Sequence, residues 1–186
     1  MSVQLIRHRF TVEEYHQMGQ ARVLRDDDRV ELIAGEIVDM TPIGTRHMAA
    51  VNVLNGWLTI GCGARAIVQI QGPIRLGPDS EPQPDVTVLR ARDDLYRTVR
   101  PGAADVLLLV EVSDTSLPYD RGVKLPLSAR AGVGEAWIVD LEGAQVEVYR
   151  EPAPDGYRRV ETRGRGARLQ PTAFPDLALA VADLLG

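Results

Sequence analysis

The chain is predicted to fold as one α/β domain, and three observations carry that expectation. Val106-Leu107-Leu108-Leu109-Val110-Glu111-Val112 is an apolar run broken only by its glutamate, the signature of a central strand buried on both faces. Between Thr45 and about Ile60, Met48, Val51, Leu54, Trp57 and Leu58 recur at helical spacing. Elsewhere short β-rich segments are punctuated by Gly and Pro, with no internal repeat and no low-complexity linker.

The elements follow in order. Thr11-Val12-Glu13-Glu14 reads as a capping box that starts a helix through about Met18. Asp26, Asp27 and Asp28 form an acidic turn. Arg29–Ile33 and Glu36–Met40 flank Ala34-Gly35 and read as a β-hairpin. Pro42 and Gly44 break the chain before the Thr45 helix, which Gly61 and Gly63 end. Ala66–Ile70 and Ile74–Leu76 form one strand region kinked at Gly72-Pro73. Gly77–Pro82 is a turn, Asp85–Leu89 a short strand, and residues 91–104 a polar connection. After the central strand, Tyr119–Ala131 suits a helix stopped by Gly132, with Pro126 either kinking it or delaying its start. Ala136–Asp140 and Val146–Tyr149 form a second hairpin, and Tyr157–Glu161 adds a strand. The apolar tail Phe174–Leu185 packs back on the body. The expected domain spans 1–186, with its core at about 28–150.

Composition bounds the function. The 186 residues, 45% hydrophobic and 25% charged, describe an ordinary globular protein long enough for a real core. No apolar run could span a bilayer, and Met1–Phe10 lacks the apolar centre of a signal peptide, so the expected location is the cytoplasm. The single cysteine, Cys62, excludes an intramolecular disulfide and a cysteine-built zinc site; it reads as a small buried hydrophobe. The net charge of −5 (21 basic minus 26 acidic residues) sits awkwardly with nucleic-acid binding. Arg90, Arg92, Arg97 and Arg100, and Arg158, Arg159, Arg163, Arg165 and Arg168, either offset it locally or are solvated loop charges. Lys124 is the only lysine in the chain.

Three charges stand out. A glutamate in a buried strand is costly unless it leaves the strand, finds a partner or binds a cation, so Glu111 either ends the strand in solvent or belongs to a site. Asp85, after Pro82-Gln83-Pro84, either finishes a loop or opens a strand beside it. Two carboxylates at the ends of neighbouring strands can hold a divalent cation, and a lysine beside them can steady charge on a phosphate.

Pro84-Asp85 followed by Glu111-Val112-Ser113 resembles the PD-(D/E)xK nuclease pattern. More specifically, the chain resembles the Uma family (the Uma-two group) of bacterial restriction-endonuclease-like proteins. Val30–Val38, Pro42–His47, Asp120–Leu125 and Ala129–Asp140 carry the likeness, which extends over about residues 10 to 185. The resemblance implies a restriction-endonuclease-like mixed central sheet flanked by helices, with additional β-hairpins. It implies Asp85, Glu111 and the Val112 carbonyl as ligands of Mg²⁺ or Mn²⁺, Lys124 as the catalytic lysine, and DNA as substrate. Two departures matter. Ser113 stands where the general pattern has its lysine, a role that Lys124 takes over from the following helix. The first core helix has no acid, and Glu31 or Glu36 from the hairpin is the candidate substitute.

Other residues carry weaker claims. Glu31 is an outer metal or water contact, or faces solvent. His47 binds a phosphate or acts as an acid, or merely caps or packs. Asp120 is expected to cap the lysine helix, and Trp57 and Trp137 to sit in the core. Rival functions are a non-catalytic interaction or DNA-binding module and a hydrolase of small phosphoesters. A homodimer is compatible with the apolar tail and the hairpins.

Overall fold

The computed structural model describes residues 7–25 and 27–186. The readings of Met1–Ile6 and of Asp26 in the acidic turn lie outside the described residues. Helix α1 (Val12–Gln20) begins at the expected capping box: the Thr11 side chain accepts from the Glu14 amide, and the Glu14 carboxylate accepts from the Thr11 amide. Strands β1 (Val30–Ile33) and β2 (Glu36–Asp39) pair antiparallel. Their two-residue turn, Ala34-Gly35, takes φ of 47° and 77°, the left-handed geometry that a twisted hairpin demands. Helix α2 (Thr45–Cys62) follows and ends at Gly63, so Gly61 lies inside the helix. Met48 is half-exposed and departs from the expected apolar stripe.

Strands β3 (Ala66–Ile70), β4 (Val86–Arg90) and β5 (Val106–Ser113) form an antiparallel ladder. The expected extension at Ile74–Leu76 is not a strand; only Arg75 makes an isolated bridge, to Gly102. A helical segment of three pieces comes next: α3 (Leu117–Tyr119), a π-helical turn (Asp120–Lys124) and α4 (Leu125–Arg130). It carries the chain to β6 (Glu135–Asp140), which lies parallel to β5. Strands β7 (Gln145–Ala153) and β8 (Gly156–Gly164) complete a six-stranded mixed sheet in the order β3-β4-β5-β6-β7-β8. A short pair, β9 (Arg168–Leu169) with β10 (Leu179–Ala180), precedes α5 (Val181–Leu185).

The sheet is covered on both faces. One core joins α2 and α5 to Val86, Val88, Leu108, Val110, Val112, Trp137 and Val139, and the tail residues Phe174, Leu179 and Leu184 close it as expected. Cys62 and Trp137 are buried there, and Trp57 stacks on Trp137 with centroids 6.4 Å apart. The other core joins Leu125 of α4 to Leu89, Leu109, Ile138 and Tyr149. Because strand side chains alternate, Glu111 shares the face of Leu109, and Asp85, just before β4, shares that of Leu89. The pleat alone therefore points the two acids to one side.

Candidate active site

The central strand supplies the first acid. Glu111 is buried at 3% exposure, and Lys124 Nζ lies 3.1 Å from its Oε1. Lys124 also reaches Glu31 Oε2 at 3.2 Å, so one ammonium bridges two buried carboxylates from β1 and β5. Glu31 is fixed in turn by the Gln83 amide, which donates to it at 3.0 Å, while the Gln83 side-chain amide donates to the Val30 carbonyl. The Pro82-Gln83-Pro84 segment thus straps the hairpin onto the sheet.

Asp85 sits where β3 and β4 run out. Its carbonyl accepts from the Gln71 amide, and its Oδ2 accepts from the Val112 amide at 2.8 Å. His47 Nε2, from the first turn of α2, lies 3.0 Å from the same oxygen. Among the described residues, Asp85 Oδ1 has only a long contact, 3.4 Å, with the Gln71 side chain. In a strand, the N–H and C=O of one residue face the same edge, so the Val112 carbonyl shares the edge on which its amide meets Asp85.

Lys124 owes its position to the π turn. The Leu125 amide bonds to the Asp120 carbonyl five residues back, and Pro126 follows, with no N–H and a ring that clashes with a regular helical turn. The wider turn buries Asp120 and Lys124 together against the sheet. Asp120 is therefore not the helix cap it was expected to be. The helical segment starts earlier, after Ser116, and the Asp120 carboxylate inside it accepts the hydroxyls of Ser113 (2.7 Å) and Ser116 (2.6 Å). Ser113, at the position where the general pattern has lysine, is fully buried and committed to that bond.

Glu31, His47, Gln83, Asp85, Glu111, Val112, Asp120 and Lys124 line one cavity of about 480 Å³, together with Gln71, Tyr119 and Arg29. Among the described residues, three buried side-chain polar atoms have no hydrogen-bond partner: His47 Nδ1, Thr87 Oγ1 and Tyr119 Oη. His47 and Tyr119 line the cavity, and Thr87 lies two residues from Asp85 on β4. Unsatisfied groups are rare in folded proteins, and two of these three belong to the cavity lining.

The electrostatics follow from burial and crowding. Burial raises the Glu111 carboxyl well above the ordinary glutamate value; Lys124 opposes this, and Asp85, Asp120 and Glu31 add to it. Burial works against the Lys124 ammonium, but Glu111, Glu31 and Asp120 outweigh it and hold its pKa above the lysine range. The hydrogen bond to Asp85 raises His47, with burial opposing. Burial, reinforced by Glu31, pushes the Tyr119 phenol up to about 12.

Of the residues singled out from the sequence, the structure brings together Asp85, Glu111, Val112, Lys124, Glu31 and His47. Glu36 lies elsewhere, on the hairpin by its turn, paired with Arg9 at 2.9 Å. Sequence reasoning missed Gln71, Gln83 and Tyr119; only Gln83, between two prolines, carries a local signal. The arginine clusters are not part of the cavity lining: Arg92 pairs with Asp94, Arg100 with Glu81, and Arg159 and Arg163 with Glu161.

The architecture is a six-stranded mixed sheet covered on both faces. It is shared with a solved protein described as "a putative nuclease belonging to DUF820" from Anabaena variabilis ATCC 29413, with a TM-score of 0.73. The match covers 95% of this chain and 97% of that one at 17% sequence identity, so it speaks for the fold alone. Residues 12–182 match the model of the Uma2 family, described as "putative restriction endonuclease", and the chain belongs to that family. No functionally curated protein matches it. Among the described residues, no helix is long and apolar enough to cross a membrane.

Proposed function

We propose that this chain is a metal-dependent endonuclease that hydrolyses DNA phosphodiester bonds. The observation that carries the proposal is the convergence of Asp85, Glu111 and Lys124, remote in sequence, in one pocket. The donor set fits Mg²⁺ or Mn²⁺. Asp85, Glu111 and the Val112 carbonyl are hard oxygens on adjoining strand ends, and Asp85 Oδ1 is held only loosely. Among the described residues no three His, Cys, Asp or Glu side chains are grouped to hold a metal ion, so the donor set is two carboxylates and a backbone carbonyl. A bound Mg²⁺ or Mn²⁺ supplies Lewis acidity to the scissile phosphate and lowers the pKa of a water.

The protein's own residues do the rest. Lys124, kept protonated by two carboxylates, is a fixed positive charge and hydrogen-bond donor beside the phosphate, not a base. Glu31 keeps the ammonium in the site when Glu111 turns to another cation. His47 and the Val112 amide hold Asp85 Oδ2 and leave Oδ1 directed to ligand. A hydrolase of small phosphoesters is the second reading, favoured by Arg29 being the one arginine in the lining.

The test is nicking of supercoiled plasmid with Mg²⁺ or Mn²⁺, alongside Mn²⁺ titration into wild type and Asp85→Ala. Wild type is expected to nick and to bind Mn²⁺ far more tightly than Asp85→Ala. Lys124→Ala is expected to keep the metal and lose activity by about 10²–10³-fold. Equal Mn²⁺ binding by wild type and Asp85→Ala would remove the site. Metal binding without cleavage would leave a non-catalytic module, and cleavage of a small phosphodiester alone would favour the second reading.

A further inference from the structure

We infer that Tyr119 is a further phosphate-binding residue of this site, its hydroxyl donating a hydrogen bond to a non-bridging phosphate oxygen. The inference rests on the nuclease reading above and assigns a residue that the metal and lysine chemistry does not use. Tyr119 ends α3, one residue before the π turn that places Lys124, and it lines the same cavity. Its hydroxyl oxygen is buried, and no side chain or backbone group among the described residues accepts from it or donates to it.

A buried hydroxyl without a partner costs free energy, and phenylalanine would fill the same space without that cost. The hydroxyl is therefore a liability to the fold, and its value lies in what enters the cavity. The neighbours define the ligand's chemistry. Burial first, and then Glu31, Asp120 and Glu111, disfavour a phenolate, so the group stays protonated and can donate. Lys124, at the end of the turn that Tyr119 precedes, is a cation lining the same cavity. A phenol O–H and an ammonium on adjacent turns of one helical segment form a donor pair for anionic oxygen, and a phosphodiester offers two such oxygens. Lys124 takes the charge, and Tyr119 sets the orientation.

The experiment compares wild type, Tyr119→Phe and Tyr119→Leu by urea unfolding, Mn²⁺ titration, duplex binding in Ca²⁺ and plasmid nicking in Mg²⁺. Tyr119→Phe is expected to unfold at an equal or higher urea midpoint, to bind Mn²⁺ as wild type does, and to nick on the order of 10²-fold more slowly. Tyr119→Leu, which also lacks the ring, is expected to show at least that loss of rate. If Tyr119→Phe nicks at the wild-type rate, the inference fails. It fails equally if the substitution lowers the urea midpoint as loss of a satisfied buried hydrogen bond would, because the hydroxyl then holds structure. Should wild type bind metal but cleave nothing, the nuclease reading fails by itself. Duplex binding then decides Tyr119: weaker binding by Tyr119→Phe supports the donor, and equal binding overturns it.

Discussion

Two buried glutamates on neighbouring strands of the same sheet are held in opposite ways. Glu135, at the start of β6, accepts from four donors: the Trp137 indole (2.8 Å), Arg150 Nε (3.1 Å), Arg150 Nη2 (2.7 Å) and the Thr172 amide (2.6 Å). Glu111, on β5, has among the described residues one cationic partner, which it shares with Glu31, and is otherwise crowded by Asp85 and Asp120. Both are about equally buried. The difference teaches how to read a buried acid. A carboxylate whose lone pairs are filled by fixed donors ties elements together, here β6, β7 and the segment before β10. A carboxylate left among other carboxylates is poised for a cation.

The largest effect expected is on the structural side. Glu135→Ala removes the acceptor of the indole N–H and of the Thr172 amide, and leaves the Arg150 guanidinium with the Thr172 hydroxyl, the Gln170 carbonyl and a 4.0 Å contact to Glu161. It should cost about 3–5 kcal/mol, the price of breaking a buried ion pair from one side. Urea unfolding measures it directly, since a lower midpoint at unchanged slope is lost stability. A cost within the range of surface substitutions would break the comparison, because the donor count would then not separate the two acids.

Only the Glu111 side of this contrast could be read in the sequence, and the remainder has physical reasons. Glu111 announced itself because an acid inside an apolar strand is anomalous in one dimension. Asp85 and Lys124 gained meaning from the family likeness, and the Ala34-Gly35 turn from backbone chemistry. What was hidden is non-local. His47 meets Asp85 across 38 positions, and Gln83 meets Glu31 across 52; no periodicity reports such contacts. The π turn was hidden for another reason. Pro126 signalled a disturbed helix, but a proline fixes only where regular bonding fails, and packing chose a bond to Asp120 five residues back. Asp120 then became an internal acceptor instead of a cap.

Glu111→Gln sharpens the comparison from the functional side, with an effect of opposite sign. The folded protein raises the Glu111 pKa above the ordinary 4.5, so it binds the proton more tightly than the unfolded chain. The stability that this proton confers is fully present below the unfolded value. It is lost as pH rises through the folded value. Metal-free wild type should therefore lose stability with rising pH from about the ordinary glutamate value upward, a slope that Glu111→Gln lacks. At neutral pH the variant, whose Lys124 keeps Glu31 as its anion, should be more stable than wild type, and inactive, as for a site strained for its function. Mg²⁺ or Mn²⁺ should restore the wild-type stability by mass action and leave the variant unmoved. Urea midpoints measured across pH, with and without metal, check all three. A variant less stable than wild type at neutral pH would put Glu111 in the same class as Glu135.

The smallest effect belongs to Glu36, a near twin of Glu31. Register pairs Glu31 with Val38 and Ile33 with Glu36, so both acids lie on one face of the hairpin, Glu36 beside the turn and Glu31 two residues down the opposite strand. Only the lower position meets the Pro82–Pro84 strap, where the Glu81 amide bonds to the Leu32 carbonyl and the Gln83 amide to Glu31. That contact buries Glu31 and turns it to Lys124. Glu36 stays 45% exposed, against Arg9. An exposed pair of this kind is worth about 0–1 kcal/mol, so Glu36→Ala should barely move the urea midpoint and should leave nicking unchanged. Glu31→Gln, measured beside it, should slow nicking, because it frees the Lys124 ammonium from one of its two anchors. Equal rates for the two variants would mean that Lys124 is placed by Glu111 and the π turn alone, and that the hairpin covers the site without tuning it.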